Sequence, residues 1–360
     1  MTDAQTALKP PADRAVSAYP ETDFDAIIVV SFGGPEGVDE VVPFLRNVTE
    51  GRNIPEERLK EVGEHYYMLE GVSPINNQNR ALIDALQADM AEHGIELPVY
   101  FGNRNWHPML PDTLQQMADD GVKKALAFFT SAYSSYSGCR QYREDIYRAQ
   151  QQVEGSAPEV LLTRKFYNHP KWIEVNVERI RDALAELGDQ EGVHVAFTVH
   201  SIPLKMAQGC MYVQQITETM RLIAEELGLN DYDLVYQSRS GPPRVPWLEP
   251  DINDHLEAAA ERGVKDVVIA PIGFISDHME VIFDLDTEAR QTCDALGMRM
   301  ARAGTAGTHP VFVSMIRELI EERLGRRDAR PTLGDRGPSW DICPVTCCLP
   351  GTGEPSPWDA

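Results

Sequence analysis

The stretch His194-Val195-Ala196-Phe197-Thr198-Val199-His200-Ser201-Ile202-Pro203 decides how this chain is read. Its first seven residues are an apolar, β-branched run that reads as a strand and leaves His200 at the strand's carboxyl end. Outward from it, similar runs lie at 26–32, 99–103, 125–129 and 160–162 on the amino-terminal side, and at 234–237, 266–271 and 298–301 on the carboxyl-terminal side. Four of the eight fall in each half. Between them the apolar spacing turns helical at 74–92, 171–187, 213–227, 252–262 and 278–296, several of these ending near a glycine suited to a left-handed cap.

Strands alternating with amphipathic helices give an α/β fold: two similar Rossmann-like halves, each a four-stranded parallel sheet flanked by helices. A break at 167–170 divides an amino-terminal domain, 23–168, from a carboxyl-terminal domain, 169–304, and 305–330 is expected to pack back on the first. Residues 1–22 read as a flexible leader with few core-forming residues. Residues 331–360 form a Gly-, Pro-, Arg- and Asp-rich tail with little reason to order unless something pins it. In open parallel sheets the ligand crevice lies beyond the carboxyl ends of the strands. There this chain places Ser31-Phe32-Gly33-Gly34-Pro35, Ser131 to Gly138, His200 and Ile272 to Asp277, so both halves face one cleft.

The 360 residues carry 33 Lys and Arg against 56 Asp and Glu, a formal net charge of −23. That balance argues against nonspecific binding of nucleic acid or anionic lipid. No apolar run approaches the length of a membrane span, and no signal-type segment opens the chain, so a soluble, cytoplasmic protein without stable membrane association is expected. Gly33-Gly34 belongs to neither a full dinucleotide fingerprint nor a P-loop, which makes a tight turn the better reading than a phosphate cradle. The six cysteines at 139, 210, 293, 343, 347 and 348 are too sparse for a secreted disulfide scaffold, and the crowding of the last three points to a metal or a cluster. Cys210 and Cys293, isolated in helical or loop segments, read as packed thiols.

The second informative stretch is Ser276-Asp277-His278-Met279-Glu280, which leads into acids at 280, 284 and 288. A neutral imidazole at His200 accepts a proton or holds a borderline metal such as ferrous iron, and carboxylates four residues apart pass a cation along one helix face. With 56 acids in 360 residues, about one such row arises by chance, so its weight comes from its position after ISDHME. Four-residue steps drift by about 40° on an α-helix, and a local π-turn would align the row better.

FGGP at 32–35, LEGVSPI at 69–75, TSAYSSYSG at 130–138, TVHSIP at 198–203, QSRSGPPRVPWLEP at 237–250 and PIGFISDHMEVIFDLD at 271–286 together resemble the ferrochelatase family. The likeness runs from about Ala26 to Leu324 and implies a chelatase-like, monomeric unit with a porphyrin held between the two domains. It implies His200 as pyrrole-proton acceptor or iron contact, Glu280 as the facing acid, and Asp284 and Glu288 as an outer metal site or route. Ser73 and Tyr142 resemble propionate-binding positions, with His65 and Tyr66 in a neighbouring segment of that kind. Phe32 stands where some relatives place a tyrosine and has no oxygen to ligate iron. The propionate-binding arginine pair of those relatives falls near Thr49 and Glu50, with Arg46 and Arg52 close by.

The same resemblance implies a two-iron two-sulfur (2Fe-2S) cluster on Cys139, Cys343, Cys347 and Cys348, with structural zinc or an unligated tail as the other readings. The reading that follows is a coproporphyrin III ferrochelatase taking ferrous iron as substrate in haem biosynthesis, with haem-pathway enzymes as transient partners. A protoporphyrin IX ferrochelatase and a non-catalytic tetrapyrrole or metal carrier are the alternatives. The preference for the more carboxylated porphyrin rests on likeness to cluster-bearing bacterial forms and on reading 36–53 as a charged and polar segment rather than an apolar lip.

Overall fold

A computed structural model of the chain describes residues 22–51, 54–188, 192–241, 244–341, 343–344 and 346–351. The expected leader therefore lies outside the described residues except for Thr22. Two four-stranded parallel sheets are present. In the first, β1 (Ala26–Ser31) lies between β2 (Val99–Asn103) and β3 (Lys124–Phe129), with β4 (Glu159–Leu162) outside β3. In the second, β5 (His194–His200) lies between β6 (Tyr232–Gln237) and β7 (Asp266–Ala270), with β8 (Arg299–Arg302) outside β7. All eight expected strands form, and the two sheets share one strand order.

The first sheet carries α1 (Val41–Val48), α2 (Glu56–Tyr67), α3 (Ile75–Glu92), α4 (Leu110–Asp119) and α5 (Gln141–Gln150) in its connections. Next come α6 (Pro170–Leu187), the short α7 (Leu204–Gln208), α8 (Tyr212–Leu227) and α9 (Ile252–Glu261). One helical run follows β7: α10 (Met279–Val281), a π-helix at Ile282–Ala289, then α11 (Arg290–Leu296), and α12 (Pro310–Arg323) closes the fold.

Burial explains the layering. Every residue of β1 is buried, and its two-residue period sends Ile27 and Val29 into one apolar cluster and Ala26, Ile28 and Val30 into another. In β5, Val195, Phe197 and Val199 join the same cluster as Ile27, while Ala196 joins a third. The inner faces of both sheets thus share one core with α3, α6, α8 and α12. At its centre Trp172 of α6 packs against Phe166 and Phe312, with ring centroids 5.3 and 5.7 Å away.

Helix α6 shows why these segments stop and start where they do. His169 caps it by accepting the Lys171 N–H at 3.2 Å, Pro170 occupies the first turn, and Gly188 ends it at φ 73°. Its buried stripe includes Ile173, Val177, Ile180, Leu184 and Leu187, and each such side chain taken from water stabilises the fold by about 1.5–3 kcal/mol. Helix α12 lies against α3 and α6, tied by Arg317 to Asp89 at 2.7 Å and by Lys171 to Glu318 at 2.9 Å.

Two expectations need correction. The tail is pinned by the protein itself: Asp341 is buried against Arg323 at 3.0 Å and Arg330 at 2.5 Å, and Asn168 donates to the Gly337 carbonyl at 3.0 Å. Composition left that pin open because the partners, 18 and 11 residues apart, meet only in the folded chain. Nor is 36–53 uniformly polar. Val41, Phe44 and Leu45 form the buried face of α1, which packs on α2, and Val38 is 54% exposed.

Candidate functional site

The carboxyl ends of the strands converge as expected, and His200 ends β5. Its backbone is held by the Tyr212 hydroxyl, which donates to the His200 carbonyl at 2.8 Å, and by Ser201, whose hydroxyl donates to the Leu248 carbonyl at 2.8 Å. His200 Nδ1 bonds the Ser201 carbonyl oxygen, which fixes the ring and leaves Nε2 facing Glu280 Oε1 at 3.6 Å. Glu280 reaches this place because His278 starts the helix, its Nδ1 accepting the Glu280 N–H at 3.1 Å. The loop before it is braced by Arg302, which binds Asp277 at 3.0 Å and Asp286 at 2.7 Å.

Burial works against charge on His200, but the Glu280 carboxylate outweighs it and raises the imidazole to about 9. Burial likewise opposes ionisation of Glu280, and the imidazolium holds it down at about 2. The resting pair is therefore imidazolium and carboxylate. Both side chains keep contact with solvent, at 31% and 44% exposure.

Behind Glu280 the helix is a π-helix over Ile282–Ala289, so the expected wide turn carries Asp284 and Glu288. Its i→i+5 bonding takes back part of the angular drift that four-residue steps accumulate on an α-helix. Asp284 accepts from the Ser238 hydroxyl and from Gln237 Nε2, the latter at 3.4 Å. Burial pushes Asp284 up to about 7, with Glu280 and Glu288 adding to the rise against the Ser238 and Gln237 hydrogen bonds. Glu288, also raised by burial, lines an open hollow of about 410 Å³ together with Asn253, Glu257 and Thr292. The row thus runs from the histidine to the surface.

The first domain faces this row. His65 stacks on Phe283 of the π-helix with centroids 3.8 Å apart and planes 12° from parallel. Tyr66 is raised above its ordinary value by burial and then by the charges of Glu280 and Asp284, and its ring packs edge-on to Phe44 at 5.8 Å. Phe44 also meets Phe32, which is 37% exposed at the end of β1. Ser73 is buried beside Gly34, its backbone N–H donating to the Pro35 carbonyl at 2.8 Å. A Cβ at Gly34 would lie 2.7 Å from Ser73 Cβ, so this approach requires glycine. Tyr142 sits deeper, 5% exposed, with the Arg104 guanidinium 4.6 Å over its ring. Thr49 bonds within its own helix end, Arg46 pairs with Glu56 at 3.0 Å, and Arg52 lies outside the described residues. Gln78 and Asp277 join the two domains reciprocally, at 3.0 and 2.9 Å.

The four expected cluster cysteines also come together. Cys139 lies in a helical turn, Tyr136–Arg140, rather than in an open loop. Cys347 and Cys348 have sulfurs 3.4 Å apart, Cys343 bonds Cys347, and the Cys347 carbonyl accepts from Arg140 at 3.1 Å. Among these thiols sits Lys165, 8% exposed, whose ammonium donates to the Ser131 and Gly138 carbonyls at 2.8 and 2.7 Å. Burial lowers its pKa, and the charges that oppose this are those of Cys139, Cys348 and Cys343. A buried ammonium ringed by sulfur fits a thiolate-bound anionic centre. Cys293 is fully buried and Cys210 half-buried, the charge of Cys139 adding to the rise that burial gives the Cys210 thiol.

Sequence reasoning passed over Gln237, Ser238, Arg302 and Lys165. Gln237 donates to the Glu280 carbonyl at 2.9 Å, and Ser238 reaches Asp284 from a left-handed backbone at φ 62°, a conformation that a serine does not announce. The available signal was their place in QSRSGPP at the end of β6.

Comparison with known proteins places this geometry in a family. The model described as ferrochelatase matches residues 24–324. A relative from Rhodopirellula baltica named ferrochelatase is 53% identical, covering 91% of this chain and 93% of its own. A relative from Streptomyces coelicolor named coproporphyrin III ferrochelatase is 50% identical, covering 90% and 93%. Among solved structures, SirB from Bacillus subtilis with Fe3+ superposes with a TM-score of 0.53 at 12% identity, over 84% of this chain and 97% of that one, a likeness of fold. No helix among the described residues is long and apolar enough to cross a membrane.

Proposed function

The chain belongs to the ferrochelatase family, and from that premise we propose that it inserts ferrous iron into coproporphyrin III, acting in the cytoplasm as a monomer. The carrying observation is the opposition of His200 Nε2 and Glu280 Oε1 at 3.6 Å, with Asp284 and Glu288 behind them. Metallation removes two pyrrole protons and strips water from the metal. A base, an oxygen ligand and an exit for protons are therefore required together.

In the resting pair the proton sits on His200, because the imidazole is raised to about 9. An imidazolium accepts no pyrrole proton. Ferrous iron arriving at Glu280 and His200 displaces that proton, and Asp284, raised to about 7, is the neighbouring group poised to take it near neutral pH. His200 is then neutral, and as the iron passes from it to the ring nitrogens its freed Nε2 lone pair accepts one pyrrole proton, the other leaving by way of Asp284 once that group has passed its own proton outward toward Glu288. Glu288 and the hollow beside it offer the outer end of the route, by which hydrated iron enters and protons leave.

Phe32, Tyr66 and the stacked His65 supply the flat apolar side of the slot, with Ser73 and Tyr142 as polar contacts for propionates. Coproporphyrin is favoured over protoporphyrin by the name of the Streptomyces coelicolor relative. Cys139, Cys343, Cys347 and Cys348 would hold a two-iron two-sulfur cluster, with Lys165 countering its charge. Such a cluster supplies one-electron redox chemistry when bound and would tie the tail to the first domain; an iron-sulfur absorption band lost in Cys347→Ser tests it.

Anaerobic steady-state insertion of ferrous iron into coproporphyrin III and into protoporphyrin IX tests the substrate. We expect kcat/KM at least tenfold higher for coproporphyrin III. Equal or better turnover of protoporphyrin IX overturns the choice of substrate, and stoichiometric binding without turnover favours a carrier.

A further inference from the structure

At the opposite end of the second sheet from His200 lies a group that the iron chemistry does not use. His194 opens β5, Asp231 and Asp233 flank the start of β6, and His255 projects from α9. Six residue steps along the strand separate His194 from His200, about 20 Å. His194 is fully buried and His255 nearly so, whereas the Asp233 side chain is 52% exposed.

The ligand atoms converge. His194 Nε2 and His255 Nε2 are 2.9 Å apart, and each lies 3.9 Å from Asp233 Oδ2. The point equidistant from these three atoms is about 2.1 Å from each, the ordinary zinc–nitrogen and zinc–carboxylate distance. Asp231 Oδ1 stands 3.1 Å from the other ring nitrogen of His194, out of hydrogen-bond alignment; turned into line it would hold the proton on Nδ1 and leave the Nε2 lone pair for a ligand bond. The two imidazoles also stand at hydrogen-bond distance from one another, 2.9 Å. That pairing, however, does not account for an acid meeting both nitrogens at equal distance, nor for a second acid behind the buried ring.

We propose that His194, His255 and Asp233 form a zinc-class divalent metal site, positioned by Asp231, that clasps β5, β6 and α9 together and leaves the fourth position to water. Two imidazoles and a carboxylate suit zinc or cobalt better than calcium or magnesium. The charge of Arg262, 3.7 Å from Asp233, is the competing interaction that the metal must displace.

The test strips the full-length protein with a chelator and titrates zinc against a chromophoric competitor, in wild type and in His255→Gln, Asp233→Asn and Asp231→Asn. We expect His255→Gln and Asp233→Asn to bind one equivalent fewer, and Asp231→Asn to bind that equivalent about 10- to 100-fold more weakly. Zinc should raise the thermal midpoint of wild type and not that of the first two variants, while iron insertion stays unchanged in all three. Because Asp233 is half exposed, Asp233→Asn keeps the fold and the comparison holds even where His255→Gln does not. Unchanged zinc stoichiometry in Asp233→Asn, or the same zinc-induced midpoint shift as wild type, overturns the site.

Discussion

Replacing Glu280 with Gln should lower the pKa of His200. In wild type the imidazole sits at about 9 because the Glu280 charge overcomes burial. Without that charge burial lowers the value while the Ser201 hydrogen bond and the Asp284 charge still raise it, so it falls back toward the ordinary 6.5, a change of at most about 2.5 pH units. Both side chains are partly exposed, 31% and 44%, so cleft water screens part of the coupling and a fall of about 1 to 2 pH units is the working figure. The assay is the histidine Cε1–H resonance followed against pH by NMR, assigned by its absence in His200→Gln, which requires no turnover. The sign also appears in stability. His200 is raised in the folded state, so its contribution is complete below about pH 6.5 and is lost as pH climbs through about 9. Glu280 is depressed, so its contribution is present above about pH 4.5 and is lost as pH falls toward 2. A wild-type His200 titrating near 6.5 and unmoved by Glu280→Gln would refute the paired state and the order of proton transfers built on it.

Asp284→Asn should remove the group poised near pH 7 and lower kcat about 10- to 100-fold while porphyrin affinity, read by fluorescence quenching, is retained. A full kcat would deny it a part in proton transfer. Trp172→Ala, in the core shared by both sheets, should cost about 3–5 kcal/mol in urea unfolding, and a loss under 1 kcal/mol would mean that the two halves do not depend on this contact. Asp341→Ala leaves Arg323 buried without its carboxylate and should cost up to about 3 kcal/mol. Trypsin should then cut the tail between Arg326 and Arg336 before the body; unchanged resistance would show that the ion pairs do not hold it. Gly34→Ala, with Ser73 Cβ 2.7 Å and Ile75 Cγ2 2.8 Å from the added carbon, should raise the porphyrin KM more than it lowers kcat.

The strands were legible because β-branched runs buried on both faces leave an unmistakable pattern, as in β1 and β5. Helices α1, α2, α4, α5, α7 and α12 were missed: the first five span only 8, 12, 10, 10 and 5 residues, and α12 is buried on so many sides, Arg317 and Glu318 included, that its apolar residues leave no single stripe. The carboxylate spacing pointed to the π-helix, since four-residue steps drift by about 40° on an α-helix and a wider turn brings the row closer to one line. Ser238 was not legible, because its reach to Asp284 depends on a backbone angle. Lys165 was equally hidden, because a lone lysine after a strand looks solvent-exposed until Cys139 and cysteines more than 170 residues further along the chain surround it. The Arg and Asp residues of the tail read as solvated charge, and only the folded chain turns them into a buried anchor.

Helix α12 is the last regular element among the described residues, yet it lies on α3, near the start. A nascent chain halted before Pro310 holds all eight strands and still leaves the Leu82, Leu86 and Met90 face of α3 without its cover. The amino-terminal lobe therefore cannot mature on its own during synthesis. A chaperone that shields such a surface has the whole interval of translation in which to engage it, and truncation upstream of α12 yields a sticky fragment rather than a smaller enzyme.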